Sequence, residues 1–206
     1  MADIKQLKDE VTQLPNIEQL ADHFERQWLK PIKTNTNPSH SFLINLPDEK
    51  KKELNQQLKV LKRSLREIKY GQVVNDKLAS LAHNLVQLKI AGLTDDKNKI
   101  KQLLNMFLND RHLSIKQLIF EVPYLESQIS LFHRSYNGLL EQLSTQLPLE
   151  HSVSLLEGDH SSTVRKLAAV PQKQKHYLSE IGKHFVGLTR SIKRQKESKK
   201  AHSKKH

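Results

Sequence analysis

The 206-residue chain contains no cysteine, which excludes a disulfide framework and any thiolate metal site. It has only 6 glycines, and they are dispersed. No GxxxxGK followed by Ser or Thr, no GxGxxG, no HExxH and no GxSxG occurs, so no phosphate cradle, zinc-protease helix or nucleophile elbow is readable. Aromatic residues make up 5%, too few and too scattered for the base-stacking platforms of single-strand binders. No apolar run approaches the roughly 18 residues a bilayer span requires. Met1-Ala2-Asp3-Ile4-Lys5 lacks the apolar stretch of a signal peptide. From these absences the expectation is a cytoplasmic protein without a membrane partner, without a cofactor, and with nothing that argues for an enzyme.

What the chain does contain suits helices. Gln, Lys, Leu and Asn dominate, hydrophobic residues make up 36% and charged residues 27%, and the mean hydropathy is -0.63. Straight-chain residues lose little rotamer freedom in a helix, whereas glycine is costly there. Net charge is +12, unevenly spread. Eight Lys or Arg against the lone Glu197 put +7 between Arg190 and His206, which leaves +5 on the other 189 residues.

Apolar periodicity predicts the elements. Ile4, Leu7, Val11 and Leu14 form a short amphipathic stripe that Pro15 ends. Asn16 offers an N-cap, with Gln19 at the capping-box position, for a second helix reaching about Lys30. Residues 31–47, with Pro31, Pro38 and Pro47, read as a long loop whose Phe42, Leu43, Ile44 and Leu46 dock on the body. A third helix, capped by Asp48 and closed by Gly71, carries Leu54, Leu58, Leu61, Leu65 and Ile68 at coiled-coil spacing. A fourth starts at Asn75 or Asp76 and ends at Gly92. Thr94-Asp95-Asp96 opens a fifth, both carboxylates favouring the positive end of its dipole.

Ser114 caps a short helix that Pro123 bends or stops. Next comes a seam of Leu125, Ile129, Phe132, Tyr136, Leu139, Leu143 and Leu147. Residues 148–161 read as a second irregular link. A short helix capped by Ser161 or Ser162 precedes Pro171, and a last helix carries Tyr177, Leu178, Ile181, Phe185, Leu188 and Ile192. The predicted fold is an all-α antiparallel multi-helix bundle over 1–194, with an N-terminal hairpin at 1–30 joined by the 31–47 loop. Residues 195–206 are expected to form a disordered basic tail.

Two basic features are the candidate binding surface. On the last helix and tail these are Lys183, Arg190, Lys193, Arg194, Lys196, Lys199, Lys200, Lys204 and Lys205. On the third helix Lys59, Lys62, Arg63 and Arg66 recur at three and four, one exposed stripe. Such surfaces neutralise phosphates without reading sequence, although a charge stripe is more often only a solvated face. His176, Glu180 and His184 share a helix face, but three ligands over two turns span about 12 Å, too far for one ion, so no metal site is assigned. Asp159-His160 reads as a loop pair. Gly138, Gly182 and Gly187 fall within helices, and close packing of a neighbour at Gly182 and Gly187 is the favoured account.

Two functions emerge as expectations. The first is a non-enzymatic protein contacting nucleic acid without sequence preference, a nucleoprotein complex, or an acidic protein surface. The alternative is a scaffold whose heptad-like seams at 54–68 and 125–147 bind a protein partner or a second copy.

Overall fold

The computed structural model describes residues 3–30, 46–146 and 159–204. Its helices are α1 (Ile4–Thr12), α2 (Ile17–Phe24, continued by a π-helical turn, Glu25–Leu29), α3 (Asp48–Lys69), α4 (Gln72–Leu93), α5 (Lys97–Asn109), α6 (Ile115–Gln146) and α7 (Asp159–Ser203). No strand occurs among the described residues. The fold is an all-α bundle. Phe42, Leu43, Ile44, Leu147 and most of both expected links lie outside the described residues.

The helices pack as two compact units. One comprises Met1–Leu14, Val74–Val122 and Gln172–His206; the other comprises Pro15–Val73 and Pro123–Pro171. Pro15, Pro123 and Pro171 each stand where the chain passes from one unit to the other.

In the first unit α1, α4, α5, the start of α6 and most of α7 bury Leu7, Leu78, Leu81, Leu85, Leu103, Phe107 and Ile181. Each such side chain contributes about 1.5–3 kcal/mol when taken from water. Gln174 Nε2 donates to Asn75 Oδ1 at 2.7 Å, and a Cβ on Gly92 would lie 3.4 Å from Ile192, so α4 and α7 run parallel. Lys199 meets Asp95 while Phe185 stacks on Phe107 at 4.6 Å, so α5 runs antiparallel to α7. Lys77 pairs with Glu121 at 2.7 Å. That is the alternation of an up-and-down bundle.

The second unit repeats the scheme. The Ile17 amide donates to Gln72 Oε1 at 2.8 Å and Lys69 pairs with Glu25 at 2.6 Å, so α2 and α3 are antiparallel. Phe24 packs on Phe132 at 5.1 Å and Trp28 on Tyr136 at 5.2 Å, so α2 and α6 are parallel. Lys30 donates its amide to Glu25 O, the i→i+5 bond of a π turn. This widened turn buries Trp28 and its neighbour Leu29 together. Burial pushes the Tyr136 hydroxyl up to about 12.

Local capping agrees with the expectation at Asn16, which accepts from the Gln19 amide at 2.9 Å, and at Ser114, which accepts from the Gln117 amide at 3.3 Å. Asp96 caps α5, accepting from the Lys99 amide at 3.0 Å. Asp48, by contrast, lies inside the first turn of α3 and makes no cap bond. Nor does Asn75 start α4. The helix begins at Gln72, and Asn75 is buried within it because Gln174 offers its amide a partner.

Larger corrections concern the prolines, the tail and the glycines. Neither Pro123 nor Pro171 interrupts its helix. Each removes one backbone bond, a loss of about 3 kcal/mol, which burial of Leu118, Val122, Leu125 and Ile129 around the first, and of Leu167 and Val170 beside the second, offsets. There is accordingly no separate short helix before Pro171.

Residues 195–203 are not a disordered tail, since α7 continues through Ser203. Extending a formed helix costs far less than nucleating one. The Lys200 and His202 side chains also lie in its last turn, where cations favour the dipole. At Gly182 and Gly187 an added Cβ would meet nothing within 4 Å, so no neighbour packs closely there. Gly71 supplies the close approach instead: a Cβ there would lie 2.5 Å from Leu125 Cδ1.

Candidate nucleic-acid interface

In the second unit, Leu54, Leu58, Leu61, Leu65 and Ile68 are buried along one side of α3. That burial turns Lys59, Arg63 and Arg66 to solvent and leaves Lys62 half-buried. Among the described residues none of the four forms an ion pair, whereas Lys50 pairs with Glu53 at 3.8 Å and Lys69 with Asp22 at 2.7 Å. Among the described residues the stripe is therefore positive charge without an ion-pair partner, carried on a helix.

In the first unit, Ile181, Phe185 and Ile192 anchor α7, and Ile192 is its last buried residue. Lys183, Arg190, Lys193, Arg194, Lys196, Lys199, Lys200 and Lys204 are exposed. Lys183 pairs with Glu180 at 3.1 Å and Lys199 with Asp95 at 2.8 Å. Arg190, Lys193, Arg194, Lys196, Lys200 and Lys204 make no ion pair among the described residues. Lys205 lies outside them. The hydrogen bond and charge of Lys199, joined by the charges of Lys97 and Lys196, hold the Asp95 carboxyl below its ordinary value. The α3 stripe and the α7 cations belong to different units.

Sequence reasoning missed Lys97, which shares the Asp95 end of the first unit with Lys196 and Lys199. Its formal charge was hidden behind Asp95-Asp96, whose capping role consumes one carboxylate locally. Asp159-His160, read as a loop pair, lies instead in the first turn of α7, where His160 is a buried ring 5.7 Å from Trp28 and 6.1 Å from Tyr136. His184 is buried too.

Chemistry beyond charge is sparse. Among the described residues no group of three or more His, Asp or Glu is arranged to hold a metal ion. A groove of about 450 Å³ between α3 and α6 is lined by Gln56, Gln57, Val60, Ser135 and Gly138, with Glu53 its sole titratable member. One carboxylate offers no acid–base pair. No helix among the described residues is long and apolar enough to cross a membrane. The chain matches no protein-family model, and no curated protein or solved structure is significantly similar to it.

Proposed function

We propose that this chain is a non-enzymatic helical protein that binds nucleic acid, alone or in a nucleoprotein complex, without sequence preference. The contacts are the basic end of α7 and the basic face of α3. One observation carries the reading: between Arg190 and Lys204, every cation except Lys199 is exposed without an ion-pair partner among the described residues. Cations already neutralised by the protein's own carboxylates would have no phosphates to recruit. These retain their charge for a polyanion, whose condensed counterions are released on binding. The heptad seams on α3 and α6 favour this reading over a scaffold, since the described members of both are buried within the chain's own core.

The test is the salt dependence of binding to a fluorescein-labelled nucleic acid. A steep log–log decline is expected, with a slope of about -0.9 per phosphate neutralised on a duplex. Replacing Lys193, Arg194, Lys200 and Lys204 together by Gln should flatten that slope by about three to four. Substitution is preferable to truncation, because removing residues from 190 onward would also remove buried Ile192. Absence of binding at low salt would end this reading.

A further inference from the structure

Resting on the nucleic-acid reading above, we propose that the last turns of α7 are a preformed probe for duplex DNA, which they enter through the B-form major groove. Duplex RNA and single strands are not the intended ligand.

The argument begins with order. Beyond Ile192 no side chain on α7 is buried, yet the helix persists to Ser203. Residues 193–203 therefore present an exposed rod about 16 Å long. A disordered polycation would contact any nucleic acid it could wrap. A rod imposes a shape, and it has less conformational entropy to lose on docking.

The distribution of charge agrees with insertion. Taking 100° per residue, Arg190, Arg194 and Lys204 fall on the side away from buried Ile181, Phe185 and Ile192, and Lys193 and Lys200 lie along one flank. Lys196 and Lys199 turn toward the body, where Lys199 meets Asp95. The outward cations thus form one arc along the exposed side of the rod, from which long side chains reach phosphates at a groove's edge. Glu197 is the acidic residue within it.

Dimensions select the duplex. A helix with its side chains is about 10–12 Å across, and the B-form major groove is about 12 Å wide. The major groove of A-form RNA is too deep and narrow to admit side chains in this way. Single strands are bound chiefly by stacking on aromatics, and between Arg190 and His206 there is no aromatic other than His202 and His206.

The experiment compares the full chain with its Gln195→Pro variant. Gln195 is exposed, and proline there breaks the helix while leaving every charge in place. Fluorescence anisotropy would use three probes of one sequence, roughly 20 nucleotides long to accommodate several phosphate contacts: a DNA duplex, an RNA duplex and a DNA single strand. We expect the wild-type chain to prefer the DNA duplex by about tenfold or more, and Gln195→Pro to abolish that preference while retaining salt-sensitive binding. Equal affinity for all three probes, or a preference that survives the proline, would overturn the inference and leave the general nucleic-acid reading standing. Failure of the wild-type chain to bind any probe at low salt would overturn both.

Discussion

Gly71 faces Leu125 so closely that a methyl group on its Cα would sit 2.5 Å from Leu125 Cδ1 and 2.9 Å from the Ile68 carbonyl oxygen. Leu125 is itself buried, so its side chain has nowhere to retreat without displacing core neighbours. The backbone carbonyl is less free still. Gly71→Ala is expected to destabilise the protein by about 1–3 kcal/mol, the range for overpacking a filled site. Urea denaturation monitored by helical circular dichroism reads it directly; a neutral result would mean that the α3–α4 turn relaxes freely.

The glycines inside helices should behave in the opposite way. At Gly138, Gly182 and Gly187 an added Cβ has open space around it. Each Gly→Ala change then removes a backbone entropy penalty without a clash, and should stabilise by about 0.5–1 kcal/mol. The triple variant should melt at a measurably higher temperature. A loss of stability at any one of the three would point to contacts not seen in the isolated chain.

Pro123 offers a larger gain. It is exposed within α6, so its ring fills no core, and its missing amide leaves the Ile119 carbonyl without the usual helical donor. Pro123→Ala should restore that bond and raise stability by about 1–3 kcal/mol. Hydrogen exchange at residue 123 would show the new amide protected. Rapid exchange there would indicate that the helix stays open around the old proline.

Lys69 lies between two carboxylates, 2.7 Å from Asp22 and 2.6 Å from Glu25. Burial alone would lower its pKa, but the hydrogen bonds to Asp22 and Glu25 prevail and hold it above the ordinary 10.5. A raised folded value means the contribution is complete below about pH 10.5 and fades as pH climbs through the folded value. Because all three groups are partly solvated, Lys69→Met should cost only about 0.5–1 kcal/mol at neutral pH. The gap between wild type and variant should narrow in strongly alkaline buffer. A gap that held constant there would assign the effect to packing of the lysine stem.

Local and periodic features were readable from the chain, and long-range ones were not. The seams of α3 and α6 announced themselves because residues at three and four share a helix face. The caps at Asn16 and Ser114 did so because donor and acceptor lie within one turn. Pro123 and Pro171 misled, since their local penalty is visible in the sequence while the burial that outweighs it is tertiary. The end of α7 misled for a related reason: Ser198-Lys199-Lys200-Ala201 has no apolar pattern, so nothing distinguished an exposed helix from coil. As for the binding surface, composition revealed which residues are basic. Which of them are already spent, such as Lys199 on Asp95, 104 positions away, is a property of the fold.

The π turn between Glu25 and Leu29 makes the numbering of α2 matter. Trp28 and Leu29 both point inward because the backbone there accommodates one residue more than an ordinary helical repeat would. Deleting a single residue from Glu25-Arg26-Gln27 would take out that extra residue and let the segment relax to an ordinary α turn, with the flanking side chains still in phase. The same deletion in the regular helix before it, within Ile17–Phe24, would swing Trp28 by about 100° away from Tyr136 and His160. In α2 the widened turn is thus the one stretch that tolerates the loss of a residue.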